Sequence, residues 1–391
     1  MKVVWFSEIK WNYLKTRKQQ IITRKPPGVR LLFLEPFVRA GRNGYRVRTE
    51  GDIFCTTIPF LKSAPYFPWR TVLDQASARW VVDLIARSRI QQILRQLGFD
   101  SSDTGFIISN IYAANIVSRL KKRFLIYDCN DDHSSFPGMR SWTEGYFFKT
   151  SRKADAVFAS SQALLDKITT VRGGVAGCEY LGNGVDFEHF QTEDGDGRGT
   201  TGGERDVPGD GGKPRLGYIG ALAPWFDFEA IADLARARPE WEVVLVGPVL
   251  LGVENKVLEV TSLPNVFHLP AVSYDRLPGI LRQFSVGLIP FRYNELTRGV
   301  NPNKLYEYLA AGLPVVTTRF SEEVTGYPEL VQSVDPGEEF VRACDGLVDV
   351  VSDIERRAEI GARAKSVARE HDWDVIAATF WAKVQNLMDA R

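Results

Sequence analysis

Long apolar runs are missing from this 391-residue sequence. No stretch approaches the roughly 20 apolar residues of a membrane-spanning helix. The opening MKVVWFSEIK meets Glu8 and Lys10 after a four-residue apolar run, too short for a secretory leader. Cysteine is sparse as well: Cys55, Cys129, Cys178 and Cys344 lie far apart with no C-x-x-C pair. Neither a zinc site nor a disulfide framework is expected, and a cytoplasmic location fits such free thiols. The G-x-G-x-x-G that would mark a dinucleotide site is absent after the first strand of either half, which disfavours an NAD-dependent dehydrogenase. Nucleic acid is not an expected partner either, because no RNP-like, zinc-finger or helix-turn-helix pattern accompanies the basic residues.

What is present divides in two. The net charge of +1 conceals 28 Lys/Arg against 16 Asp/Glu in residues 1–186 and 21 against 32 in residues 187–391. A basic half concentrates anionic partners such as phospholipid headgroups or lipid pyrophosphates, although drift of surface charge between domains accounts for the split equally well. The length exceeds one ordinary core, so two domains are expected. Between them, QTEDGDGRGTTGGERDVPGDGGK (191–213) holds eight glycines and six acidic residues and no aliphatic side chain except Val207. Such a segment buries almost nothing and reads as a flexible linker between an N-terminal domain (1–190) and a C-terminal domain (214–391).

Both domains share one grammar. Short apolar runs at 3–6, 29–36, 52–58, 105–109, 123–128 and 156–160 alternate with helical stretches, and the pattern returns at 215–220, 241–247, 265–270, 286–290 and 313–318. In the 71–97 stretch, Val72, Trp80, Leu84, Ile90, Ile93, Leu94 and Leu97 recur at helical spacing and are expected in the core. Residues 337–389 read as almost wholly helical. Continuous Val/Ile/Leu/Phe runs separated by helices predict parallel sheets covered on both faces. The fold class is therefore α/β, two doubly wound Rossmann-like domains facing a central cleft, with ligands beyond the carboxyl ends of the strands.

One segment carries chemistry. NPNKLYEYLAAGLPVVTT (301–318) opens with Asn301 as a helix cap and Pro302 in the first turn, and it closes with Gly312 and Pro314 before an apolar run. Lys304 and Glu307, three residues apart, share one face near the helix N-terminus. A surface ion pair explains that spacing. So does a nucleotide: backbone amides and an ammonium for a diphosphate, then a carboxylate for the two hydroxyls of a ribose.

The stretch NPNKLYEYLAAGLPVV resembles the donor motif of GT-B fold glycosyltransferases, especially the family 4-like group, in its P-x-K-x-x-E-Y-L-A-x-G variant. DAVFASSQALLDKI (155–168), YLGNGVDFEHF (180–190), RLGYIGALAPWFDFEAI (215–231) and EHDWDVIAATF (370–380) match in the same order. The resemblance implies that Glu307 binds the donor ribose and Lys304 the diphosphate. It also implies that the Gly220–Ala221 turn lets backbone approach the phosphates, with Arg298 as a second phosphate candidate and the turns after 247 and 270 holding the base. Two departures stand out. Gly299 occupies the place of the first glutamate in the common E-x7-E pattern, and Pro224, Trp225 and Asp227 stand where a basic pair is often found.

In the N-terminal domain LIYDCNDDHSSFPGM (125–139) follows a strand, so Asp131, Asp132 and His133 should emerge at its carboxyl end. One of them could deprotonate an acceptor hydroxyl; equally, an aspartate there caps the next turn. Arg17, Lys18 and Gln19 begin a helix after the first strand, and Arg17 is a candidate for an acceptor or donor phosphate; a solvated helix face is the other reading. Trp69, Arg70 and RLKKRF (119–124) are candidate contacts to an anionic membrane surface, so a peripheral position at the inner face of the membrane is open.

These readings imply a hexosyltransferase-type glycosyltransferase. It would move sugar from a UDP- or GDP-type donor to a glycan or lipid-linked acceptor in cell-surface or extracellular polysaccharide synthesis, with retention and with neither metal nor other cofactor. Two alternatives share the resemblance. A nucleotide-sugar 2-epimerase would convert donor without acceptor, and a noncatalytic nucleotide-sugar-binding partner would bind donor but transfer nothing.

Overall fold

The computed structural model describes residues 1–12, 15–36, 46–58, 69–99, 103–136, 139–191, 207–208 and 212–390. Two units make up the chain, one of Met1–Gly182 with Ile376–Arg391 and a second of Asn183–Val375. The linker read at 191–213 lies mostly outside the described residues. Its one aliphatic side chain, Val207, is fully buried in the second unit's core.

Among its described residues the first unit carries eight strands: β1 Lys2–Phe6, β2 Arg30–Pro36, β3 Arg48–Glu50, β4 Ile53–Ile58, β5 Thr104–Ile108, β6 Leu125–Cys129, β7 Ala156–Ala159 and β8 Cys178–Tyr180. Their order is β3-β4-β2-β1-β5-β6-β7-β8, and every pairing is parallel except β3 with β4. Central strands such as β1 and β5 are buried on both faces, which is why they read as unbroken apolar runs. The edge strands β3 (RTE) and β8 (CEY) are short and partly exposed, so no apolar signal announces them. The chain's last residues return to this unit: Trp381 donates its indole N–H to the Ile21 carbonyl at 2.9 Å, and Phe380 stacks on Trp5 at 5.4 Å.

The 71–97 expectation needs correction. Two helices occupy it, Trp69–Asp74 and Ala76–Leu97, and the second ends at Gly98 with φ +67°. Its buried line is Asp83, Ala86, Ile90, Ile93 and Leu94. Val72, Trp80 and Leu84, expected in the core, are exposed. Trp80 and Leu84 lie well around the helix from that line, and the spacing that unites all seven residues in sequence mixes two faces.

The second unit carries β9 Arg215–Ile219, β10 Glu242–Val246, β11 Val266–Leu269, β12 Val286–Ile289, β13 Val315–Thr318 and β14 Val331–Val334, all parallel, in the order β11-β10-β9-β12-β13-β14. β14 (VQSV) is another polar edge strand that pattern alone does not reveal. Helices Glu338–Ser352, Ile354–Glu370 and Trp373–Asp389 fill the expected helical tail.

Candidate active site

In the second sheet the chain leaves β9 toward β10 on one side and β12 toward β13 on the other. Loops beyond these two carboxyl ends diverge, and this switch point is where doubly wound sheets bind ligands. β9 runs into Gly220 (φ +148°) and β10 into Gly247 (φ +147°). A Cβ on Gly247 would sit 2.0 Å from the Gly220 carbonyl oxygen, and one on Gly220 would sit 3.0 Å from Lys304 Cε. Only glycine allows backbone, turn and lysine stem to approach so closely. Ala221 follows, its carbonyl accepting a hydrogen bond from the Tyr218 hydroxyl at 2.9 Å.

Beyond β12 come the short helix Glu295–Arg298 and then the helix Asn303–Ala310. Pro302, not Asn301, is the cap of the latter, and no side chain bonds its first amides. Asn301 is instead buried, donating from Nδ2 to Glu323 Oε2 at 3.0 Å while its carbonyl accepts from Asn183 Nδ2 at 2.7 Å. The Tyr308 hydroxyl accepts from the Ile219 amide (2.8 Å) and donates to the Leu288 carbonyl (3.3 Å), tying this helix to both switch-point strands. Gly312, with φ +79°, follows its end.

Lys304 and Glu307 are partly buried on this helix. The Lys304 ammonium lies over the rings of Tyr218 and Phe291, 5.4 and 4.8 Å from their centroids. Burial lowers its pKa to about 8 against the opposing pull of Glu307, and burial raises Glu307 to about 7 against the opposing pull of Lys304. Neither side chain makes a hydrogen bond or ion pair with another described residue. A charge pair that only needed a stable surface position would not be drawn below the surface and left unpaired. Arg298 is exposed at the end of its short helix. His268 is half-buried in β11, its Nε2 2.9 Å from the Gly247 carbonyl oxygen. Tyr218 and Phe291 carry no signal in sequence beyond being apolar strand-end residues.

In the first unit, Asp131, Asp132 and His133 follow β6. Asp132 is consumed by its surroundings: Lys167 Nζ (2.6 Å), Ser134 Oγ (2.6 Å), Ser135 Oγ (2.7 Å) and the Ser134 amide (3.1 Å) all donate to it. Burial pushes its carboxyl up, but those bonds outweigh burial and hold it below the ordinary range. Asp131 differs. Burial raises its pKa although His133 and Lys18 pull it down, and its carboxylate accepts from Asn130 Nδ2 at 2.7 Å. His133 is buried, with Nδ1 3.1 Å from the Asp131 carbonyl oxygen and its ring edge-on to Tyr112.

Arg17 opens the helix Arg17–Thr23, where its Nε bonds buried Asp128 at 2.9 Å and its Nη1 bonds the Gly182 carbonyl at 2.6 Å. Those bonds lock Arg17 into the unit's framework. The neighbouring Lys18 pairs with Glu8 at 2.5 Å, and Glu8, despite the upward push of burial, stays below its usual range chiefly through Lys18 and His133. Glu8 belongs to no sequence motif, yet its place two residues beyond the first strand is a usable signal. No group of three His, Cys, Asp or Glu among the described residues is arranged to hold a metal ion.

Residues 213–350, which include Gly220, Arg298, Lys304 and Glu307, match the family described as Glycosyl transferases group 1. The sequence is 26% identical over 268 residues to TuaH of Bacillus subtilis (strain 168), a protein named for glycosyltransfer in teichuronic acid biosynthesis. That alignment covers 64% of this chain and 64% of the relative. Sucrose-phosphate synthase from Thermosynechococcus elongatus superposes with a TM-score of 0.75 at 11% identity, covering all of both chains. The E. coli trehalose-6-phosphate structure bound with UDP-2-fluoro glucose gives 0.71 at 13%, covering 100% of this chain and 99% of the other. The fold is GT-B. In a GT-B chain Lys304 and Glu307 stand at the switch point of the second Rossmann-like sheet. No helix among the described residues is long and apolar enough to cross a membrane.

Proposed function

We propose that the chain is a retaining glycosyltransferase that moves a hexose from a UDP- or GDP-type donor to a glycan or lipid-linked acceptor in cell-surface or extracellular polysaccharide synthesis. One observation carries this reading: an ammonium and a carboxylate, one turn apart and partly buried, make no hydrogen bond or ion pair with another described residue, on a helix whose N-terminus has no side-chain cap. Glu307 accepts both ribose hydroxyls. Lys304 and the amides of the Asn303–Ala310 helix take the diphosphate, with Gly220 and Ala221 giving its oxygens a close backbone approach and Arg298 reaching in from the preceding helix. The family match over residues 213–350 and the likeness to TuaH support the same assignment.

As the bond from the anomeric carbon to the diphosphate oxygen breaks, charge grows on the leaving phosphate, where Lys304 and the helix amides lower its energy. The acceptor hydroxyl adds to the same face of the sugar, and its proton passes to that phosphate oxygen. Asp131 and His133 bind the acceptor, while Asp132 holds their loop in shape. Lys304 and the amides provide the charge that the leaving group requires, so the proposal assigns no metal or other cofactor.

Melting the protein with UDP, GDP, ADP and TDP names the base, since a ligand at 100 times its Kd stabilises by about 2.7 kcal/mol. One of the four should raise the melting temperature, and that response should vanish in Glu307→Ala. An undiminished response in that variant sinks the ribose assignment. Product anomers analysed by NMR test retention, and an epimerised donor formed without acceptor would replace transfer with isomerisation.

A further inference from the structure

The Ala76–Leu97 helix spends one side on the core and, in its N-terminal half, leaves the other side apolar. Trp80, Val81, Leu84 and Ile85 are 53, 46, 39 and 53% exposed. At 100° per residue these four share one outward arc, and the line of Trp80 and Leu84 continues along the helix to Gln91 and Arg95. There it meets a cavity of about 940 Å³ whose lining includes Lys2, Arg95, Arg119 and Lys121, with Leu94 and Phe99 on its apolar wall. Lys2 is paired with Asp103, whereas Arg119 and Lys121 are exposed and form no ion pair with a described residue. The helix holds four arginines, and its single acidic residue, Asp83, is buried.

We propose that this face docks the protein on an anionic lipid bilayer, with Trp80, Val81, Leu84 and Ile85 entering the boundary between headgroups and acyl chains and Arg95, Arg119 and Lys121 holding phosphate headgroups. A helix lying in the membrane plane needs this combination of an apolar stripe and flanking cations. Charge decides the occupant. A second copy of the chain would bring the same uncompensated cations to the contact, whereas anionic lipid neutralises them. The surface deepens the partner side of the proposed reaction by placing the enzyme where lipid-linked acceptors reside. It uses no donor-site residue, so the two readings fail separately.

Flotation of the full chain with phosphatidylcholine vesicles, with and without phosphatidylglycerol, tests it. Binding is expected only to the anionic vesicles and should weaken with salt. Arg119→Gln with Lys121→Gln should lose about fivefold per charge, and Trp80→Ser with Leu84→Ser at least about tenfold. These side chains are exposed, so both double variants should melt like the parent and keep its response to nucleotide. Failure to bind anionic vesicles, equal binding to neutral ones, or parental binding by both variants overturns the proposal. So does a dimer that Trp80→Ser with Leu84→Ser dissolves, which would give the face to a second copy.

Discussion

Asp132 and Glu307 are both partly or wholly buried carboxylates beyond the carboxyl ends of parallel strands, and they have opposite surroundings. Asp132 receives hydrogen bonds from Lys167, Ser134 and Ser135, which hold its pKa down against burial. Glu307 has only the electrostatic pull of Lys304, which does not offset burial, and its pKa rises to about 7. A carboxylate whose bonds are met by its own chain is a structural element. One left unmet costs stability, and such a group is a candidate for ligand binding. The same contrast separates the buried Lys18–Glu8 pair from Lys304, whose ammonium rests on two aromatic rings with no counter-ion in contact.

The largest effect that tests this contrast is on ligand binding. Glu307→Ala should weaken the preferred nucleoside diphosphate by at least about 100-fold, the loss of two charge-assisted hydrogen bonds, measured by calorimetry. Asp132→Ala should leave nucleotide affinity within about twofold.

Stability should answer in reverse. Asp132→Asn should destabilise the protein by about 2 kcal/mol in urea unfolding. Because the folded-state pKa of Asp132 lies below its ordinary value, that deficit is present near neutrality and closes as pH falls through the acid range.

Lys304 supplies a pH test. With a pKa of about 8 in the unliganded protein, it must take up a proton to meet the diphosphate at higher pH. Affinity should therefore fall about fivefold between pH 7 and pH 9, a roughly tenfold loss at Lys304 offset about twofold as Glu307, with its pKa of about 7, completes its ionisation. Lys304→Met should bind weakly and lose the fall, affinity rising with pH as Glu307 ionises, and a parental profile that does not fall would remove Lys304 from the phosphate site.

The smallest effect is a gain. Glu307→Gln should stabilise the unliganded protein by about 1 kcal/mol at pH 8. A raised carboxyl pKa contributes stability that is lost as pH rises from about 4.5 to 7, so the advantage of the variant should grow across that window and level off above it. No gain at any pH would mean that Glu307 is solvated.

Much of the fold is legible without coordinates because central parallel strands are buried on both faces. β1, β2, β5, β6, β9, β10 and β12 each write an unbroken apolar run. β3, β8 and β14 do not, since an edge strand pairs on one side only and can be polar throughout. In the candidate site the spacing of Lys304 and Glu307 is readable. Their lack of partners is not, because Tyr218 and Phe291 arrive from distant strands. Asp131, Asp132 and His133 look alike as neighbours in sequence. Lys167, from the helix Gln162–Arg172, makes Asp132 different from the other two.

By itself, the sequence determined where the helix Asn303–Ala310 stops and which charges it carries, since a glycine with φ +79° and a following proline act locally. It likewise determined that two apolar α/β halves would form. Which charges are met within the chain and which are left without a hydrogen-bond partner follows only from tertiary contacts. That outcome depends on whether a donor or acceptor tens of residues away reaches within about 3 Å, a distance that side-chain spacing along the chain does not encode.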